Sequence, residues 1–224
     1  MVFMLNNDAS VFSDSTKDPP LIIIDAGHGG MDGGAVSADG TQEQYINLDI
    51  AMCINEILTQ KGYKTLMTRV DNNSVHDADA KTVREQKVSD LHNRLKIIES
   101  NPDCIFVSVH QNYYTESKYW GTQVFYSPNN LKSSDLAQCI QSAVITELQP
   151  DNTRHIKKSG DSIYLLYQTT VPAVMVECGF LSNYNETAKL NDATYRKQMA
   201  NSICNGIINY LNSGECESGT DEGV

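Results

Sequence analysis

The chain has 224 residues, enough for one domain with a substantial core; 40% of them are apolar and 20% are charged. Its formal net charge of −11 argues against nucleic acid as a partner and against a polybasic membrane-binding patch, because no basic stripe is present to meet phosphate groups. No apolar run approaches the roughly 18 to 20 residues of a membrane span.

The two ends of the chain lack the patterns of packed structure. Residues 1–20 have neither the charged start nor the long apolar run of a signal peptide, and they predict a disordered lead-in. If the protein works outside the cytoplasm, we expect that its export segment is absent from this chain. Residues 213–224 predict a flexible tail, so the predicted domain covers 21–212.

The first half of the domain alternates strands with helices. A buried strand is predicted over 21–25 and a second strand over 63–69, on either side of a helix whose apolar residues recur at helical spacing over 42–61. The polar stretch 70–87 has no period and predicts a long exposed loop, and such loops often form the rim of a site. A short helix follows and ends at Asn101.

The second half continues this alternation with shorter connections. The predicted elements are strands over 104–109, 121–126, 163–167 and 173–176, a helix from Ser133 or Ser134 to 148, a polar connection over 150–162, and a final helix over about 192–211. Strands that alternate with helices predict an α/β fold, with a sheet covered by helices on both faces.

The first strand leads into a turn that is too rich in glycine for regular structure. The stretch DAGHGGMDGG (25–34) carries His28, and its glycines allow the backbone to pack closely around whatever the histidine binds. A loop histidine alone is weak evidence, since most are simply solvated.

Further titratable groups follow other predicted strands. His110 comes after the strand at 104–109, Glu177 comes after the strand at 173–176, and Glu43 opens the first long helix. Sites in α/β sheets form at the carboxyl ends of the strands, so we expect these groups to meet His28 there. Two histidines and one carboxylate form a typical catalytic zinc site, and the remaining carboxylate can act as general base.

Each of these residues alone also has a structural explanation. His110 can be a histidine at the end of a core strand, and Glu43 can be a helix-capping residue. Glu177 is harder to explain, because an acid within AVMVECGF is costly unless it is paired.

Six cysteines are present without a CxxC pair, and most of them fall in apolar patterns. We predict free buried thiols, so the cysteines do not indicate a redox compartment.

Several spaced motifs together resemble one enzyme family. The stretches DAGHGG, QEQYINL, TR, SVHQN and VECGFLSN occur in the order typical of zinc-dependent N-acetylmuramoyl-L-alanine amidases, the amidase 3 family, and the resemblance covers about 21–211. The segment 70–96, with VREQK and DLHNR, looks most like the spore-cortex, germination-specific branch.

The resemblance implies one zinc ion bound by His28, Glu43 and His110, with Glu177 as the catalytic acid and base. It implies a phosphorylase/hydrolase-like three-layer sandwich with about six mostly parallel strands. The implied reaction is hydrolysis of the amide between the muramic-acid lactyl group and L-alanine in peptidoglycan, on the cell-wall or spore-cortex side of the membrane.

Two residues depart from the family pattern without being proposed ligands. Gln111 stands where a small or apolar residue is usual, and Cys178 where leucine or valine is usual. Alternation along the strand points Cys178 away from the face that carries Glu177.

Other residues near the motifs have open roles. Asn112 and Arg154 are candidates for substrate contact or for support of the ligands. The aromatic run with Tyr113, Tyr114, Tyr119 and Trp120 either stacks on a glycan or packs in the core. We expect the remaining histidines, His76, His92 and His155, to be solvated bystanders.

Two alternatives to the amidase remain. One is a zinc exopeptidase on a similar sheet, which requires a second metal or a basic group for a terminal carboxylate. The other is a non-catalytic wall-binding regulator, which predicts a lost ligand or base. No inserted inhibitory helix is evident between Ser127 and Ser162 apart from the predicted helix at 134–148, so we expect control by an activator protein.

Overall fold

The computed structural model of the protein describes residues 18–213. The predicted lead-in and tail therefore lie almost entirely outside the described residues. The described part of the chain forms, in order, β1 (Ile22–Ala26), α1 (Glu43–Gln60), β2 (Thr65–Met67), α2 (Val83–Glu99), β3 (Ile105–Asn112), β4 (Gln123–Tyr126), α3 (Lys132–Glu147), β5 (Lys157–Lys158), α4 (Tyr164–Gln168), β6 (Ala173–Phe180), α5 (Tyr184–Asn191) and α6 (Ala193–Ser213).

The strands form one six-stranded sheet in the order β2-β1-β3-β6-β4-β5. The first four strands of this order run parallel, β4 is antiparallel to β6, and β5 is parallel to β4. The predicted α/β fold with six mostly parallel strands is confirmed.

Both faces of the sheet are buried, which explains why its central strands are almost wholly apolar. In β1, Ile22 and Ile24 face the larger core formed with α1, α3 and α6, whereas Ile23 faces the smaller core on the side of α2 and α4. The result is three layers, with the carboxyl ends of the parallel strands at one edge. No helix in the described part of the chain is both long and apolar enough to cross a bilayer.

Three sequence-based predictions about elements are wrong, and one helix was missed. The predicted polar connection over 150–162 contains the short strand β5. Residues 83–87, predicted as loop, begin α2, where Thr82 and Glu85 form a reciprocal capping box. Residues 163–167, predicted as a strand, lie mostly in α4, because a short apolar run cannot distinguish a strand from a buried helix. The helix α5 was not predicted, although Asn183 caps it through the backbone N–H groups of Asn185 and Glu186.

The cysteines are free thiols at four positions, as predicted: Cys53, Cys104, Cys178 and Cys204. Cys139 is disulfide-bonded, so the prediction of a free thiol is wrong there. Its side chain is buried, and an apolar context suits a buried disulfide as well as a buried thiol. Cys216 lies outside the described residues.

Candidate metal centre

The turn after β1 places His28 above the edge of the sheet. Gly27 continues the pairing of β1 with β3 through a hydrogen bond from its N–H to the carbonyl of Val109, at 3.1 Å. His28 then takes a left-handed backbone conformation with φ of 63°, which turns the chain away from the strand direction. Such a conformation is uncommon outside glycine and persists where surrounding contacts hold it.

Two buried arginines supply those contacts. Nε of Arg69 donates to the carbonyl of Ala26 at 2.8 Å, and its Nη2 donates to the carbonyl of Gly27 at 3.0 Å. Nη2 of Arg94 donates to the carbonyl of His28 at 2.7 Å. Three successive carbonyl groups of the histidine-bearing turn are therefore fixed by guanidinium groups.

Glycines in the turn are required by the close approach of the candidate ligands. A Cβ atom at Gly27 would overlap the ring of His110. A Cβ atom at Gly34, where φ is 70°, would lie 2.5 Å from Oε2 of Glu43 and 2.7 Å from Cδ2 of His28. The expectation that glycines allow close packing around the histidine is met at these two positions.

The structure brings His28, Glu43 and His110 together. Nε2 of His28 lies 3.2 Å from Oε2 of Glu43, and Nδ1 of His110 lies 2.9 Å from Oε1 of Glu43. One donor atom from each side chain falls within 4.8 Å of the others, which makes this the candidate metal site among the described residues.

Glu43 is held as a carboxylate by its surroundings. It is the first residue of α1, where the helix dipole favours a negative charge. Backbone N–H groups of Ala35 and Gln111 donate to its two oxygens at 2.8 and 2.9 Å, and Nδ2 of Asn47 donates at 3.2 Å. Burial raises the pKa of Glu43, but hydrogen bonds from His110 and His28 outweigh burial and hold this pKa far below its usual range.

Asp32 orients the ring of His28. Its Oδ2 lies 3.0 Å from Nδ1 of His28, and the same oxygen lies 3.1 Å from Nζ of Lys87. Burial lowers the pKa of His28, but hydrogen bonds to Asp32 and Glu43 raise it to about 9 in the metal-free protein. An imidazole whose Nδ1 binds a carboxylate presents Nε2 to a metal ion, and a metal must displace the Nε2 proton.

Glu177 lies beside this cluster on the neighbouring strand. It pairs directly with His110 in the register of β6 and β3. Its Oε2 is buried and has no hydrogen-bond partner among the described residues. Burial raises the pKa of Glu177 to about 7, with the charges of His110 and Glu43 acting in opposite directions. A carboxyl group with this pKa can both accept and donate a proton near neutral pH.

A cavity of about 200 Å³ opens beside His28 and His110, between the sheet and the helices α2 and α4. Its wall is formed in part by Lys87, Leu91, Ile163, Tyr164 and Met175. Met175 lies two residues before Glu177 in β6, so both side chains face the same side of the sheet.

The donor set fits a catalytic zinc ion. Two imidazoles and one carboxylate are typical zinc ligands, and three protein ligands leave a fourth position for water. The unpartnered buried oxygen of Glu177 is a suitable acceptor for a proton of that water.

Comparison with known proteins decides the family. Residues 22–209 match the family model described as N-acetylmuramoyl-L-alanine amidase. The chain belongs to this amidase family. The resemblance inferred from the spaced motifs is thereby confirmed.

Individual relatives of the amidase agree with this assignment. The germination-specific N-acetylmuramoyl-L-alanine amidase of Bacillus subtilis (strain 168) is 32% identical over 191 residues, which span 85% of this chain and 79% of that protein. The CwlD amidase from Clostridioides difficile, solved in complex with the GerS lipoprotein, is 39% identical with a TM-score of 0.83, covering 86% of this chain and 98% of that one. The AmiC2 amidase of Nostoc punctiforme is 27% identical with a TM-score of 0.74, covering 86% and 97%.

The two further site candidates of the amidase differ in their placement. The backbone carbonyl of Asn112 accepts a hydrogen bond from the N–H of Leu181 at 2.8 Å, and this contact does not involve the side chain. Nη1 of Arg154 donates to Oε1 of Gln123 at 3.3 Å, and Gln123 of β4 pairs with Glu177 in the register of the sheet. A role in substrate contact stays a prediction for both residues.

The aromatic run after His110 is mostly exposed. Tyr113, Tyr114 and Trp120 are 53%, 50% and 41% exposed, so core packing does not account for them. Tyr119 instead packs edge-on against Tyr114 and lies near Phe180.

The histidines expected to be bystanders lie outside the ligand cluster of the described residues. Nδ1 of His76 lies 2.6 Å from Oγ of Ser74, and the ring of His92 lies 5.7 Å from that of Tyr164. The side chain of His155 is exposed.

Sequence reasoning assigned no role to the residues that support the ligands: Asp25, Asp32, Asn47, Arg69 and Arg94. Only Asp25 carries a visible signal, because an acid inside a buried strand requires a partner. The others are recognisable only from the tertiary structure.

Proposed function

We propose that this member of the N-acetylmuramoyl-L-alanine amidase family is a zinc-dependent peptidoglycan hydrolase. It cleaves the amide between the lactyl group of N-acetylmuramic acid and L-alanine of the stem peptide. The observation that carries the proposal is the meeting of His28, Glu43 and His110 at one point, with Glu177 directly opposite His110 in the sheet. The catalytic domain is proposed to cover 21–212.

The proposed ligands are His28, Glu43 and His110, which would hold one zinc ion. When bound, zinc supplies a Lewis acid that acidifies water and polarises a carbonyl group. Asp32 keeps the imidazole of His28 in one orientation, and the donors around Glu43 keep its carboxylate in place.

Glu177 moves the protons of the reaction. Its unpartnered oxygen accepts a proton from the attacking water, and the same carboxyl group then donates a proton to the departing nitrogen of L-alanine. In the metal-free protein burial raises the pKa of this carboxyl group to about 7, so near neutral pH it can both accept and release a proton.

The biological setting is proposed to be the spore cortex. Support comes from the germination-specific relative and from the neighbouring structure at 39% identity. The substrate lies outside the cytoplasm, so the protein is proposed to act on the cell-wall or cortex side of the membrane. Because that neighbouring amidase was solved in complex with a lipoprotein, an activator protein is proposed as a partner here as well.

The alternatives have less support. A zinc exopeptidase would require a second metal or a basic group for a terminal carboxylate; one candidate metal cluster is found among the described residues, and the family model matched over 22–209 is that of an amidase. A non-catalytic regulator predicts a lost ligand or base, whereas all four groups are present and close together.

Mass spectrometry of digested cortex peptidoglycan tests the proposal. Zinc-loaded protein should release stem peptides that begin with L-alanine, and chelator-treated protein should release none. Release of single amino acids would favour an exopeptidase instead. Silence with zinc bound would contradict independent activity and indicate that the activator protein is required.

A further inference from the structure

Arg154 is held in place near β4 and the end of β6, the strand that carries Glu177. Its Nε donates to the carbonyl of Trp120 at 2.7 Å, and its Nη1 donates to Oε1 of Gln123 at 3.3 Å. The carbon of its guanidinium group lies 4.6 Å from the centre of the Phe180 ring, which it covers. These contacts fix a long side chain that is otherwise flexible.

The sheet register connects this guanidinium group to Glu177. Gln123 of β4 pairs directly with Glu177 of the antiparallel strand β6. Directly opposed residues in such a pair point to the same face, with Cβ atoms roughly 5 Å apart. Arg154 is therefore linked through Gln123 to the strand pair that carries the proposed acid and base, on the same face of the sheet.

One edge of the guanidinium group remains available. Its Nη2 has no hydrogen-bond partner among the described residues, whereas Nε and Nη1 are both used. The two arginines beneath the turn of His28 differ, because Arg69 and Arg94 donate to backbone carbonyls and carboxylates with their nitrogens. Lys87, the cation at the cavity wall, is paired with Asp32.

A preorganised guanidinium with a free edge is suited to a carboxylate. Arginine binds carboxylates through charge-assisted hydrogen bonds, and a side chain that is already ordered loses little entropy on binding. The stem peptide of peptidoglycan offers such a group close to the scissile amide, on its second residue, a γ-linked D-glutamate whose α-carboxyl group is either free or amidated.

We infer that Arg154 binds the free α-carboxylate of the second stem residue and makes the enzyme prefer that substrate over the amidated one. This inference rests on the proposed function and names a specificity residue for the same site. An amide offers this edge a neutral oxygen, so the charge-assisted part of the interaction is lost with the amidated substrate.

Paired synthetic muropeptides test the inference. The two substrates differ only at the second stem residue, which is D-glutamate in one and D-isoglutamine in the other. With the zinc-loaded protein we expect kcat/KM to be about ten- to hundredfold higher for the carboxylate substrate, mainly through a lower KM. Arg154→Met should remove most of this preference and leave turnover of the amidated substrate within a few-fold of the wild type.

Three companion variants make the result specific. Lys157→Met removes a cation of the neighbouring strand β5, near the Phe125 ring, and should leave the preference unchanged. Lys87→Met removes the cation at the cavity wall and should also leave the preference for the carboxylate substrate unchanged. Arg154→Lys keeps the positive charge but lacks the planar, bidentate guanidinium group, so it should reduce the preference. If Arg154→Met fails to fold, this variant tests whether Arg154 causes the preference.

The experiment distinguishes failure of this inference from failure of the proposed function. Equal rates of the wild type on both substrates, or an undiminished preference in the Arg154 variants, would overturn the inference and leave the amidase proposal standing. Loss of the preference in Lys87→Met alone would assign the carboxylate to Lys87. Inactivity of the zinc-loaded wild type on both substrates would contradict independent activity, as in the digestion of cortex peptidoglycan, and would overturn this inference.

Discussion

Nε2 of Gln111 donates a hydrogen bond to Oδ1 of Asn47 at 3.2 Å, and this contact fixes which way the Asn47 amide faces. The other end of that amide, Nδ2, donates to Oε1 of Glu43 at 3.2 Å and to the carbonyl of Gly27 at 3.1 Å. Gln111 thus supports a proposed metal ligand through Asn47.

We predict that Gln111→Leu weakens zinc binding by about tenfold, because the Asn47 amide loses the contact that orients it. The metal-free variant should be about as stable as the wild type, because removal of the unpartnered Oε1 of Gln111 offsets the loss of the donor to Oδ1 of Asn47. Chelator competition gives the zinc affinity, and thermal unfolding in chelator gives the stability. Gln138→Leu on α3 is a matched control. Unchanged zinc affinity in Gln111→Leu would show that Gln111 does not support Glu43 through Asn47.

Arg94 should be among the most costly residues to replace. It is buried, its Nε donates to Asp90 at 2.8 Å, and its Nη1 donates to Asp25. Arg94→Met should lower the free energy of unfolding by about 3–5 kcal/mol, because the buried carboxylate of Asp25 loses its counter-charge. Urea denaturation measures the loss. Arg84→Met, at an exposed position of the same helix, should change stability by less than about 0.5 kcal/mol.

Neutralising Asp25 distinguishes two effects of Arg94→Met, the loss of a counter-charge and the loss of side-chain packing. The added change Asp25→Asn should restore part of the stability lost in Arg94→Met, since only one of the two carboxylates that lose Arg94, that of Asp90, then remains charged. Strict additivity of the two changes would argue against a coupled pair.

Glu177 should make the metal-free protein less stable as the pH rises. Its pKa in the folded protein, about 7, exceeds the reference value of 4.5 because of burial. The folded state therefore holds this proton more tightly than the unfolded state does, and stability falls between about pH 4.5 and 7 as the proton is lost.

Glu177→Gln removes this penalty. In chelator, the free energy of unfolding of the variant should equal that of the wild type near pH 5 and exceed it by about 1–3 kcal/mol near pH 8. This difference is an upper bound, because the Glu177 side chain is partly exposed and solvent screens its charge. Urea denaturation at a series of pH values measures the difference. A difference that does not depend on pH would show that the pKa of Glu177 is not raised.

The sequence was sufficient to predict the main architecture of the domain. The apolar runs that form β1 and β3 are continuous because both faces of these strands are buried, and the helical spacing of apolar residues located α1. Elements that depend on local capping were missed: the start of α2 rests on Thr82 and Glu85, and α5 rests on Asn183. Both helix starts depend on capping hydrogen bonds of single side chains. They lie in polar segments, where hydrophobic periodicity gives little indication of a helix.

For the candidate site, the sequence predicted the titratable residues that meet but not the residues that support them. Strand order places the ends of β1, β3 and β6 at one edge, so His28, His110 and Glu177 could be expected to meet. His110 and Glu177 lie within their strands and not beyond the ends, because β3 and β6 are longer than predicted. The support from Arg94 spans 66 residues of chain to the carbonyl of His28, and no local pattern in the sequence encodes a contact of that range.

The zinc content and turnover of Glu177→Gln, measured on the same preparation, test the central claim most directly. We predict about one zinc ion per chain, as in the wild type, together with a loss of turnover of about a hundredfold to ten-thousandfold on cortex peptidoglycan, because Glu177 moves protons and holds no metal. Near-normal turnover, or loss of the zinc ion from this variant alone, would contradict it.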